Sequence, residues 1–375
     1  MPQVPPDTLT PDDIGNPEKR SRIAFLLKHR DNAYGWPDAY SYSCGELSSG
    51  LYNSARLVQE MLRDRLGYIT TIRHVVDNNA IDKFVHDWRP DIVVIEAYWV
   101  IPEKFAILTR LHPNILWVIR NHSSMPFLAL EGVVIDWSLR YMDYPNVILS
   151  CNERRTNHEF WELLRFRNPN ARHPKFLPNY YPAAVNVFPD RHKFTGPDNV
   201  LSVGCFGAIR PLKNHLIQAV AAMKYAEAHQ YELHFHINAT RVEQFGEPIL
   251  RNLRSLFREE HQHKLVEHSW MEHIDFIETL RQIDLGMQVS FAETFSIFIA
   301  DCVTSKIPVV VSPEISWISG EFQALPNDST DIASTIGAAL HSGGRGARAN
   351  LDGLEDYDDL SSKLWEQFIN PIREA

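Results

Sequence analysis

Glu293 and Asp301 stand eight positions apart in SFAETFSIFIADCVTSKIPVVVS (290–312), a small-residue turn that opens an apolar helix and closes on the strand PVVVS. Carboxylates at that spacing fall near one face of a helix, where they can hold hydroxyls. The turn before them, through Thr294, Phe295 and Ser296, presents backbone amides that favour a phosphate. Together these are the parts a nucleotide-sugar site needs. The same stretch also reads as the buried helix and strand of any α/β domain, since Ile297, Phe298, Ala300 and Val303 are ordinary core residues. Upstream, NVLSVGCFGAIRPLKNH (199–215) runs from a strand into a loop marked by Gly207, with Arg210 and Lys213 three residues apart at the start of a helix. A flat guanidinium fork and a mobile ammonium there would grip a diphosphate and stabilise the charge that grows on it as it departs.

A third candidate lies in the first half of the chain. NILWVIRNHSSMPF (114–127) carries Arg120, Asn121 and His122 at the carboxyl edge of an expected strand, where open α/β sheets place their ligands. Four aromatic residues, Tyr34, Trp36, Tyr40 and Tyr42, fall in an expected loop after the first strand and suit either stacking on a sugar or base or packing of the loop itself.

These residues need elements to position them, and the pattern supplies strands and helices in alternation. SRIAFLL (21–27), DIVVIEA (91–97), NILWVIR (114–120) and NVILSCN (146–152) are continuous apolar runs of the kind buried on both faces of a parallel sheet. Between the first two, LYNSARLVQEML places Leu51, Ala55, Val58 and Leu62 at helical spacing. From 166 to 198 the texture turns rich in Pro, Asn and basic residues and reads as a linker. Beyond it, YELHFHINA (231–239) and DLGMQVS (284–290) are strands, HIDFIETLRQID a short helix, and DLSSKLWEQFINPI an amphipathic tail helix. The expected fold class is α/β, two Rossmann-like doubly wound domains facing a cleft, with the C-terminal helix packing back on the first. The expected division is a loose N-terminal arm over 1–20, a first domain over 21–185, a second over 186–350 and the terminal helix over 351–375.

Composition narrows the partners. With 375 residues, 44% hydrophobic and 22% charged, the chain has material for two full cores. No apolar run reaches membrane-spanning length. The four cysteines, Cys44, Cys151, Cys205 and Cys302, are scattered singly, which suggests buried thiols in a reducing cytoplasm. A formal net charge of −10 argues against broad attraction to nucleic acid. The exception is a diffuse basic stretch, Arg154, Arg155, Arg165, Arg167, Arg172 and Lys175, which reads as an exposed face and is the one feature that invites an anionic acceptor. Seventeen histidines include HFH (234–236) and HQH (261–263), neither with a spaced third ligand, so no metal site is expected. The acidic triplet at 356–358 precedes the tail helix and reads as its N-terminal cap.

Taken together, these motifs resemble the GT-B retaining glycosyltransferases of the family 4-like kind (glycosyl transferases group 1). That family shows a glycine-led loop with Arg and Lys, then a Glu, a Gly-Phe-Gly-like turn and a second Glu at eight residues. This chain departs from it in two places: Asp301 stands where the family has Glu, and Arg210 follows Gly207 by three positions rather than immediately. The resemblance implies transfer of a sugar from a nucleotide-diphosphate-sugar donor to a hydroxyl acceptor, with retention and with neither cofactor nor metal. It implies a catalytic set of Glu293, Lys213, Arg210 and His122, and donor binding by Gly207, Thr294, Phe295, Ser296 and Asp301. The LPNYYP segment (177–182) corresponds to the family's linker-proximal stretch. The acceptor is left open among a glycan, a small molecule and DNA. Rival readings are a glycosyltransferase acting on hydroxylated bases in phage-like DNA, a sugar-nucleotide epimerase, and a non-catalytic nucleotide-sugar-binding protein of the same fold.

Overall fold

The computed structural model describes residues 21–28, 50–184, 199–258 and 262–373. The expected N-terminal arm, the aromatic loop with Tyr34, Trp36, Tyr40 and Tyr42, and Cys44 lie outside the described residues.

The first half is a strand–helix alternation: β1 (Arg22–Lys28), α1 (Gly50–Asp64), β2 (Ile69–Val75), α2 (Asn78–Trp88), β3 (Ile92–Glu96), α3 (Pro102–Leu111), β4 (Leu116–Asn121), α4 (Met125–Leu128), α5 (Val134–Tyr141), β5 (Val147–Cys151), α6 (Arg154–Arg167) and β6 (Lys175–Phe176). The second continues with β7 (Val200–Gly204), α7 (His215–Ala228), β8 (Glu232–Asn238), α8 (Glu247–Leu256), β9 (Lys264–His268), α9 (His273–Thr279), β10 (Leu285–Gln288), α10 (Ile297–Thr304), β11 (Val309–Val311) and α11 (Ser329–Arg373). The strands form two sheets, ordered β2-β1-β3-β4-β5-β6 and β11-β10-β7-β8-β9. Every described pairing is parallel. All five residues of β3 are buried, and the apolar runs of β1, β4 and β5 are nearly so, because helices cover both faces of a parallel sheet. Each sheet reverses its strand order beside its first strand, so both place a ligand crevice at their carboxyl edges.

Among the elements without a counterpart in the sequence reading are β2, β9 and α2. β2 and β9 are edge strands whose alternating, partly exposed residues lack the continuous apolar run. α2 is announced by Asp77, whose carboxylate caps it by accepting from the amides of Asn79 and Ala80 at 2.7 and 2.9 Å. The basic texture that marked a linker from 166 also starts too early: α6 runs to Arg167, and β6 still adds to the first sheet through Ser150 and Cys151.

The crossing back to the first domain is built by α11, which bends at Gly343 (φ 58, ψ −142) and then runs to Arg373. Trp365 and Ile369 are buried in the core beneath β1 and β3, and the Trp365 indole donates to Pro178 O at 2.9 Å. Tyr68 and Arg65 of the first domain reach Asn370 and Asp359. The acidic triplet at 356–358 therefore does not cap the tail helix. It lies well inside α11, and the buried Asp358 turns its carboxylate to the interdomain crossing, accepting from the Tyr181 amide at 3.0 Å.

Candidate active site

The two loops singled out by their chemistry are stitched together in the second domain. After β7, Gly207 takes φ +120, a conformation that favours glycine, and its amide donates to Asn238 Oδ1 at 2.9 Å. The chain then turns through Arg210 into a short helical turn at Pro211–Lys213. The Phe291 amide donates to Leu212 O at 2.9 Å, Asn214 Nδ2 donates to Val289 O at 2.9 Å, and Gln218 bonds both Lys213 O and the Val289 amide. These bonds set the Lys213 ammonium against the Glu293 carboxylate as a nearly buried ion pair.

The position of Glu293 corrects one expectation. α10 starts only at Ile297, so Glu293 lies outside it and does not share a helix face with Asp301. The helix is capped instead by Ser296, whose Oγ accepts from the Ile299 amide at 3.3 Å while its backbone holds φ +67, a shape usually left to glycine. Burial pushes the Glu293 carboxyl towards protonation, but Lys213 and then Arg210 outweigh it and hold it below the usual carboxylate range.

His122, just past β4, meets this cluster from the first domain. Thr294 Oγ1 donates to His122 O at 3.2 Å and accepts from Asn152 Nδ2 at 3.0 Å, so the residue after Glu293 touches the ends of β4 and β5 at once. The His122 imidazole bonds through Nε2 to the fully buried Glu96. Glu96 ends β3 and also pairs with the fully buried Arg120 at 3.2 Å. Burial opposes its charge, yet Arg120 and His122 keep it ionised and below the ordinary range. Burial, reinforced by the Arg120 charge, lowers the basicity of His122 despite Glu96 and favours the neutral imidazole. A neutral ring donating from Nε2 to Glu96 leaves Nδ1 as an acceptor, 3.5 Å from Asn152 Nδ2.

Glu96 and Asn152 escaped the sequence reading. The available signal for Glu96 was a lone carboxylate closing the apolar run IVVIE, a group that must find a buried partner. Arg120 does more than flank His122: its guanidinium also donates to Leu177 O, Pro178 O and Asn179 Oδ1, pinning the crossing segment to the site.

The structure thus brings together Lys213, Glu293, Thr294 and His122. Arg210 sits close by in the cleft, its guanidinium 4.5 Å from the Phe127 ring centroid of the first domain and 3.6 Å from Glu243. Phe295 turns its ring into the core against Trp317 and Tyr357, leaving its amide rather than its side chain for any ligand. The Thr294 amide already bonds Glu293 Oε1 at 3.1 Å. Asp301 is apart from the cluster: its Oδ1 accepts from Tyr181 Oη at 2.6 Å and from His273 Nε2 at 2.7 Å. Burial lowers the basicity of His273, but its bond to Asp301 more than restores it, so the net direction is up. Among the described residues, no group of three or more His, Cys, Asp or Glu side chains is placed to hold a metal ion.

No family model matches this chain, and no curated protein matches it. Solved structures do. HepE from Anabaena, in complex with UDP and glucose, superposes with a TM-score of 0.62 at 12% identity, over 95% of this chain and 100% of that one. Sucrose-phosphate synthase from Thermosynechococcus elongatus gives 0.64 at 14% identity, covering 94% of this chain and all of its own. The chain has the GT-B fold. A trehalose-phosphate synthase from Burkholderia vietnamiensis (UDP-forming) aligns equally well on this GT-B chain, with a TM-score of 0.64 at 11% identity over 94% and 97% of the two chains.

Proposed function

We propose that this GT-B protein is a glycosyltransferase that moves a sugar from a nucleotide-diphosphate-sugar donor to a hydroxyl acceptor with retention of configuration. One observation carries the reading: the Lys213–Glu293 pair of the second sheet meets His122 of the first through Thr294, at the carboxyl edges of both sheets. A ligand seated there touches both domains, which is what bringing donor and acceptor into register demands. The domain over 186–350 holds the donor and the one over 21–185 faces the acceptor.

In this account Lys213 and Arg210 bind the diphosphate. As the bond from the anomeric carbon to the phosphate oxygen breaks, the leaving group keeps the electron pair, and the two cations stabilise its charge. The acceptor oxygen bonds to the anomeric carbon on the face the diphosphate leaves, and the acceptor proton passes to the departing phosphate oxygen. Glu293 lies beside the sugar, and His122, held by Glu96, offers a fixed polar contact to it. Solved structures of the fold with UDP or UDP-glucose make a uridine donor the first to test. The basic stretch gives little support to a DNA acceptor, because Arg155 is paired with Glu314, Arg165 with Glu162, and Arg172 donates to main-chain carbonyls.

The test is a thermal-shift panel of UDP-, GDP-, ADP- and TDP-sugars. One donor present at a hundred times its dissociation constant is expected to stabilise the fold by roughly 2.7 kcal/mol. No stabilisation by any of them at millimolar concentration would overturn the reading.

A further inference from the structure

A cavity of about 470 Å³ opens between α4, the first turns of α6 and the loop after β11. Its size is within the roughly 300–1,000 Å³ of small-ligand sites. Ser124, Met125 and Pro126 form one wall, two to four residues beyond His122. The opposite side is closed by Glu314 of the second domain, ion-paired across the cleft with Arg155. The cavity therefore has walls from both domains, as does the site where Thr294 meets His122.

Its chemistry is specific. Thr156 lines the cavity and is 1% exposed, yet its hydroxyl has no protein partner. Asn152 and Asn157, on the same stretch of chain, also keep a buried side-chain oxygen unpartnered, but neither lines the cavity. Such groups are left without protein partners where a polar ligand or water completes them. The charge around them is negative. Glu153 occupies the α6 amides, accepting from Arg155 and Thr156 at 2.7 and 2.6 Å, so an anion finds no helix terminus there. Glu159, exposed on the cavity wall, forms no ion pair among the described residues. Three carboxylates (Glu153, Glu159 and Glu314) thus surround one guanidinium, Arg155. Arg154 is turned away onto the Phe176 ring, and Arg210 lies against Phe127 with Glu243 as its partner.

Resting on the glycosyltransferase reading, we propose that this cavity is the acceptor subsite and that the acceptor is a polyhydroxylated compound bearing an ammonium group, of the amino-sugar class. Glu159 meets the ammonium, and the Thr156 hydroxyl meets a hydroxyl of the ligand. An acidic wall on a chain of net charge −10 repels a phosphorylated or carboxylated acceptor.

Saturation-transfer NMR on the full chain without donor tests this with glucosamine, glucose and glucose 6-phosphate as probes. Glucosamine is expected to bind about fivefold more tightly than glucose, with glucose 6-phosphate weakest. Glu159→Gln, at an exposed position, should erase the preference for glucosamine, and Glu159→Lys should reverse it. Thr156→Val should weaken glucosamine and glucose alike. Equal binding of the three probes, preference for glucose 6-phosphate, or a glucosamine preference untouched by Glu159→Gln would overturn the assignment. A UDP titration of the same samples keeps the two claims apart. Loss of UDP binding alone would strike the donor assignment, whereas loss of the probe pattern alone would strike the subsite.

Discussion

At the residue scale, the ion pair of Lys213 with Glu293 ties the proposed donor-binding role of Lys213 to stability. Removing one partner of a buried pair leaves the other charge uncompensated. Lys213→Ala is therefore expected to lower stability in urea by about 2 kcal/mol and to reduce nucleotide-sugar turnover about 100-fold or more. Unchanged turnover in a folded Lys213→Ala protein would remove that residue from the site. Glu96 makes a second case, with its sign set by two depressed values. His122 is less basic in the fold than in the unfolded chain, and Glu96 more acidic. Stability contributed by both is complete above about pH 6.5, begins to fall as the unfolded histidine takes up its proton, and falls again below about pH 4.5 as the unfolded glutamate does. Glu96→Gln should remove the lower of these two losses and also cost about 3 kcal/mol at pH 7, because Arg120 is left buried without its anion. Urea midpoints measured from pH 4 to 8 check both.

At the element scale, the crossing segment and α11 decide how the two domains are held. Tyr181 links them twice, its hydroxyl to Asp301 of α10 and its amide to Asp358 of α11. Burial pushes the Asp358 carboxyl up to about 7, against the bonds it accepts from the Tyr181 and Ala183 amides. A carboxyl raised in the fold binds its proton more tightly there, so its contribution is full below about pH 4 and is lost as pH rises towards 7. Asp358→Asn keeps an acceptor for Tyr181 without the buried charge. It is expected to raise the melting temperature at pH 8, by on the order of 2 kcal/mol of stability, and to change little at pH 5. Equal effects at the two pH values would show that Asp358 does not titrate there. The triplet containing Asp358 had looked like a helix cap because acidic residues before an amphipathic run suit one. What sequence spacing could not reveal is that the helix starts upstream of it, past the Gly343 bend, and turns that carboxylate towards another domain.

At the scale of the whole molecule, continuous apolar strands made the two parallel sheets legible, since burial on both faces leaves a mark at every residue. The edge strands β2 and β9 carried no such mark. In the site, Lys213 and Glu293 were readable as types of residue, but not as each other's partner across 80 positions. Glu96 and Asn152 were invisible because their roles depend on the parallel order β3-β4-β5, which sets three strand ends side by side. The central claim is that this shared edge seats an activated sugar's pyrophosphate. The most direct measurement is a crystal structure with the UDP-sugar that binds best. The account predicts diphosphate oxygens within about 3 Å of Lys213 Nζ and the sugar between Glu293 and His122. Saturating ligand found elsewhere on the protein, with Lys213 still closed on Glu293, would contradict it.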